Sequence, residues 1–233
     1  MSLYEMLVGP CLKVCLVVFA GGMLGHVFWY VRGLDWRKDR VIYHAAGRRG
    51  LAGAIWSVFA WMTPFVARGS RSRPFAALAC WSFHAGLILV AVLLPGHAAI
   101  RRQVFGYPAV VDLPMSLPAP LADALTVLAL TGLGLLALRR VLLPEARFLS
   151  TWRDWALLGL CGLVLGTGML ARLWTGAVSV WLLAHVILSE LLLILAPFTR
   201  LSHMVLFFLS RGQLGMDYAV KRGDTRRGAL FPW

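Results

Sequence analysis

Apolar residues in this chain come in blocks rather than on a strand or amphipathic-helix period, and clusters of Arg, Pro and Gly separate the blocks. A membrane-spanning helix needs about 20 mostly apolar residues at a rise of about 1.5 Å each. Five runs meet that length, at residues 10–31, 76–96, 120–142, 155–173 and 179–203. They predict an all-α integral membrane protein, a five-helix transmembrane bundle forming a single membrane domain over residues 1–233. A sixth apolar stretch, Leu51 to Val66, is shorter, contains Pro64 and has basic residues on both sides. It is expected to lie in the interface as a helix between the first two spans, the alternative being a sixth span. The first run is too long for the apolar core of a signal peptide and lacks a small-residue cleavage site, so it is expected to remain in the mature protein.

Composition agrees with the blocks. The 233 residues are 60% hydrophobic and 14% charged, with a mean hydropathy of +0.76, against about 45–50% apolar and 25% charged in soluble domains. The net charge of +13 would fit nucleic acid, but the cations sit in loops between apolar runs instead of along one surface. Nucleic acid is therefore excluded as a partner. With five spans, 19 of the 23 Lys and Arg fall on one side, and Lys13, Arg101, Arg102 and Arg172 on the other. The positive-inside rule then predicts an outer amino terminus, a cytoplasmic carboxyl terminus and a cytoplasmic tail over 204–233, in a bacterial inner membrane. The basic segment RGLDWRKDRVIYHAAGRRG and the later ARGSRSRP offer either a docking site for a cytoplasmic partner or plain topology-setting charge. The segment Gly96 to Pro120 carries four prolines and is expected to be a non-helical outer cover. Trp36, Trp152, Trp155, Trp174 and Trp181 fall near span ends, where indole favours the interface. Cys11, Cys15, Cys80 and Cys161 form no CxxC or CxxCH motif, which argues against covalent c-type haem and thiolate clusters. No repeat or matched pair of broken helices points to a transporter.

Chemistry concentrates in six histidines: His26, His44, His84, His97, His185 and His203. An imidazole inside a span is costly enough to need a partner or a function. On one continuous fifth helix, His185 and His203 are 18 residues apart, five turns or about 27 Å, and point the same way. Nitrogen ligands at two depths on one face are what two stacked haems require. Depth pairs His84, followed by the small residues Ala85 and Gly86, with His203. His97 ends the second run about 20 Å beyond His84. It is either the partner of His185, with Pro95 and Gly96 re-aiming its ring, or a loop histidine near a quinone or in solvent. His26 is a rival ligand for the inner haem, and His44 is expected to be solvated.

The segment HVILSELLLILAPFTRLSHM from His185 to Met204, followed by FFLSRGQLGMDYAVKR, resembles the last helix and tail of the gamma subunit of respiratory nitrate reductase, a cytochrome b. The resemblance covers about 40 residues, including Pro197, Phe198, Thr199 and Arg200. FHAG at Phe83 to Gly86 looks like the first ligand motif on that family's second helix. The resemblance implies five helices, two b haems between the second and fifth, and quinol chemistry near the outer haem. It also implies that His84 and His203 ligate the inner haem and that His185 contributes to the outer one. The family's remaining ligand would fall at Leu94, which leaves His97 as the nearest candidate. The 51–66 insertion and the short outer loop Thr175 to Val178 are more similar to the related cytochrome b subunits of sulfate-reducer membrane complexes. Those work with cytoplasmic iron–sulfur subunits and periplasmic multihaem cytochromes c.

The expectation is an electron-transfer subunit of a membrane-bound oxidoreductase complex in anaerobic respiration. It would hold haem b through iron bound to His84, His203, His185 and His97, and exchange electrons between menaquinone or another quinone and other subunits. His97, Arg101 and Arg102 beside the outer loop, and Glu190 deep in the fifth run, are the quinone-site candidates. The alternative is a haem-poor membrane anchor or scaffold for soluble redox subunits.

Overall fold

A computed structural model describes residues 2–34, 50–105, 117–174 and 178–221. His44, Trp36, most of the first basic segment, Pro108, Pro114, the start of the short outer loop and the end of the tail lie outside the described residues. The described chain is helical, with α1 (Leu3–Arg32), α2 (Gly50–Met62), α3 (Arg68–Ser72), α4 (Pro74–Leu93), α5 (Pro95–Phe105), α6 (Ala119–Leu142), α7 (Pro144–Phe148), α8 (Trp152–Leu173), α9 (Val180–Leu195) and α10 (His203–Lys221). Five segments are long and apolar enough to cross a membrane: α1, α4, α6, α8 and Val180–Phe198. The protein is thus a multi-pass membrane protein, as the apolar blocks predicted.

Helix ends follow local chemistry. Thr151 caps α8 in a capping box, its backbone N–H and hydroxyl both donating to Asp154 Oδ2 at 2.8 Å. Ser2 and Glu5 form the equivalent box at the start of α1. Pro120 and Pro144 sit in the first turns of α6 and α7, where a missing N–H costs nothing. Pro10 lies within a π-helical turn, Leu7–Cys11, of α1. The apolar stretch predicted over 51–66 stops at Met62, because Pro64 cannot continue the helix and Phe65 turns back with φ 64°.

Two expectations are overturned. The segment after the second span is helical over Pro95–Phe105, since its prolines fall at or beyond the ends of that stretch, where they start and stop a helix without breaking it. The fifth apolar run is not one helix through 203. It ends in 3₁₀ turns at Ala196–Phe198 and Arg200–Ser202, with Thr199 extended between them, and His203 opens α10. Pro197 has no N–H for the carbonyl four residues earlier and its ring crowds that turn. The 18-residue spacing of His185 and His203 therefore carries no information about a shared face. The described part of the tail is likewise a helix to Lys221.

The chain divides into two compact units. Met1–Phe19 with Leu78–Leu195 makes the first, and Ala20–Ala77 with Ala196–Trp233 the second. The first centres on Phe83, Ala129, Leu133, Cys161 and Leu165, with Leu192 packed against them. Its helices approach closely at glycines: a Cβ on Gly132 would stand 2.6 Å from the Phe83 nitrogen, and one on Gly86 would meet the Leu125 carbonyl. Backbone contact of this kind is how helices associate where lipid removes the hydrophobic drive. In the second unit α2 lies along α10 through small residues, a Cβ on Gly53 falling 2.6 Å from the Gly215 carbonyl. Arg211 reaches across the same seam to the Ser57 hydroxyl at 3.0 Å and lies over Trp61, 4.6 Å from the ring centre. Burial holds its guanidinium below the usual arginine range.

Candidate functional site: paired imidazoles in the first unit

Pro95 sets the site. It has no N–H, so the Ala91 carbonyl, four residues earlier, loses its helical donor. The His97 ring folds back over this gap, with Nδ1 3.2 Å from the carbonyls of both Ala91 and Val90. Burial pushes the His97 pKa down, and the neighbouring His185 ring adds to that, against the pull of the two carbonyls. A neutral imidazole results, which is the form that binds metals.

His185, on α9, meets α8. Its Nδ1 donates to the Val164 carbonyl at 2.9 Å. Gly168 makes the approach possible, because a Cβ there would lie 3.0 Å from both Nδ1 and Cε1 of the ring. The His97 and His185 rings are 10° from parallel, with centres 6.0 Å apart. In both, the proton on Nδ1 is held by backbone carbonyls, which leaves the lone pair on Nε2. A metal-ligating histidine is typically oriented in this way. The donor set and its tautomers therefore fit haem iron, which these two residues would hold through Nε2. Groups of three or more His, Cys, Asp or Glu suited to holding a bare metal ion are absent among the described residues.

The other candidates separate into two sets. His84, half-buried on α4, has Nδ1 2.7 Å from the Cys80 carbonyl and its ring edge-on to Phe83 at 5.0 Å. His203 belongs to the second unit, is exposed, and has Nδ1 2.8 Å from the Arg200 carbonyl. His26 differs from all four. Its Nε2 donates to the Pro197 carbonyl at 2.6 Å, and Gly22, one turn earlier, makes room for the Pro197 ring. That carbonyl belongs to the helix break, so His26 serves as a cap for it, with the usual ligating nitrogen already engaged.

Arg101 stands one turn after His97 on α5, close enough to affect its protonation, and its buried Nε has no hydrogen-bond partner among the described residues. Arg102 points outward. Glu190 does not join this group. It is five residues from His185, about 140° around the helix, and lies within electrostatic reach of Cys15 on α1. Sequence reasoning missed Gly168 and the carbonyls of Val164 and Ala91. Only Pro95, four residues after Ala91, carried a readable signal.

A protein of Nitratidesulfovibrio vulgaris (strain Hildenborough), whose description names no activity, is 51% identical over 231 residues, covering 99% of this chain and 100% of its own length. No protein-family model matches the chain, and no solved structure matches it.

Proposed function

The chain belongs to the family of the Nitratidesulfovibrio vulgaris protein, and we propose that it is a b-type cytochrome subunit of a respiratory complex in a bacterial inner membrane. The observation that carries this reading is the pair of near-parallel imidazoles of His97 and His185, centres 6.0 Å apart, each with Nδ1 held by backbone carbonyls. Haem b bound there supplies reversible one-electron redox chemistry. The protein's own part is to fix both rings, exclude water from them and keep them neutral. His84 in the first unit and His203 in the second, whose Nδ1 atoms also face backbone carbonyls, are each available as a ligand for a further haem. Arg101, whose buried Nε has no hydrogen-bond partner among the described residues, offers both a donor and a cation to a quinone head group entering beside α5. Electrons pass between menaquinone or another quinone at the outer side and partner subunits, an iron–sulfur protein in the cytoplasm or a periplasmic multihaem cytochrome c.

The test is haem quantification and visible spectra of the purified chain and of His84→Ala, His97→Ala, His185→Ala and His203→Ala. His97→Ala and His185→Ala are each expected to lose the same haem, and a haem lost in His84→Ala or His203→Ala would assign that residue to a further one. Colourless wild-type protein would reject the reading and return the chain to an anchor for soluble subunits.

A further inference from the structure

Of the carboxyls in the five spans, Glu5 and Asp154 lie in first turns and Asp123 is the fifth residue of α6, which leaves Glu190 as the one near the middle. It sits ten residues after the start of Val180–Phe198, about 15 Å in, which is the middle of a hydrocarbon core about 30 Å thick. It is 8% exposed, and its Oε1 has no hydrogen-bond partner among the described residues. A group that costs this much to bury persists where it is used.

Its surroundings narrow the use. α9 packs most closely against α8, with the π-helical turn of α1 beside it, and it also meets His97 of α5 and, through Leu192, the cluster of Phe83, Ala129 and Leu133. The titratable groups they bring near this level are thiols, Cys15, buried, with Cys11 one turn before it, and Cys161, in the core cluster that Leu192 of α9 packs against, together with the amine of Lys13. On α9 itself the neighbouring titratable group is His185. Of the cations of the first unit, Lys13 is exposed on α1 between Cys11 and Cys15, Arg101 is on α5 and Arg172 at the end of α8. Among the described residues Glu190 makes no ion pair with any of them, so a proton, or charge appearing and disappearing nearby, is what balances its charge.

We propose that Glu190 is the proton-exchanging carboxyl that keeps the membrane interior electrically balanced as the site between His97 and His185 gains and loses an electron. This rests on the haem reading above and extends it. A quinol releases two electrons and two protons as it becomes quinone. Each electron entering the site is matched by one proton forming an O–H bond on Glu190 Oε1, which turns carboxylate into carboxylic acid. When the electron leaves for the iron–sulfur partner, that O–H bond breaks and the proton returns to water. Glu190 is five residues from His185, about 7.5 Å along the axis. At an effective dielectric of about 20, one charge roughly 10 Å away changes proton affinity on the order of tenfold. That is enough to couple the two events.

The experiment is electrochemical infrared difference spectroscopy on the purified full chain with its bound haem, with the visible haem bands read in the same cell. On reduction, a protonated-carboxyl stretch should grow, shift in D₂O, vanish in Glu190→Gln and reappear displaced in Glu190→Asp. Haem bands that switch while no such signal appears, or while the same signal persists in Glu190→Gln, would overturn the role of Glu190 and leave the haem reading standing. Protein without haem bands would overturn both. Glu190→Asp keeps the test decisive should the glutamine variant not fold.

Discussion

Gly168 is the position where a single methyl group tests the site most sharply. Its absent Cβ would lie 3.0 Å from Nδ1 and Cε1 of His185, against an ordinary contact of 3.4–4 Å, so Gly168→Ala forces the ring back by at least 0.4 Å. The bond from Nδ1 to the Val164 carbonyl, now 2.9 Å, then stretches to about 3.3 Å, past the usual limit of about 3.2 Å. Losing it costs about 1 kcal/mol, and overpacking adds about 1–3 kcal/mol. The gain from alanine in a helix offsets about 1 kcal/mol of this. The balance is a loss of about 1–3 kcal/mol, or about five- to 150-fold in affinity for haem at the proposed His97–His185 site. Gly166 provides the control two residues away on the same helix, because a Cβ there meets nothing within 4 Å. Haem titration of the purified apo-chain, followed by visible absorption, should show one site weakened in Gly168→Ala and none in Gly166→Ala. If the two variants bind haem alike and melt alike, His185 does not rest against α8 as described, and the paired-imidazole argument fails with it.

Replacing His26 with Phe leaves the Pro197 carbonyl without its 2.6 Å donor and should cost about 1–3 kcal/mol in thermal unfolding, with haem content unchanged; loss of a haem would make His26 a ligand after all. Gly53→Val pushes a branched side chain where even a Cβ stands 2.5 Å from that of Ala219, so limited proteolysis should find α10 exposed. Thr151→Ala removes half of a capping box on α8 and should lower stability by about 1 kcal/mol. Arg172→Ala breaks a 3.5 Å ion pair with Asp123 whose partners are 46% and 34% exposed; it should change the melting free energy by no more than about 1 kcal/mol.

The spans were legible because crossing a bilayer is a demand on composition and length, and each run from Leu12 to Leu195 states it repeatedly. Helix breaks inside an apolar run are a different matter. LLLILAPFTRLSHM stays apolar enough on both sides of Pro197 for hydropathy to read straight through it, and the break becomes visible only when each carbonyl near Pro197 is asked for a donor. His26 answers for one of them from 171 residues away, a distance no local pattern reports. The same question recovers His97. Counted along a straight helix it falls off the face of His84, and only the donor missing at Pro95 brings its ring back over Ala91 and beside His185. In this chain apolar content chose where helices cross, but proline chose which imidazoles could meet. A ligand set read from helical spacing alone is reliable only between prolines. That is why His185 and His203 could not be placed on one face by counting, and why His97 and His185 had to be found through the backbone atoms that hold them.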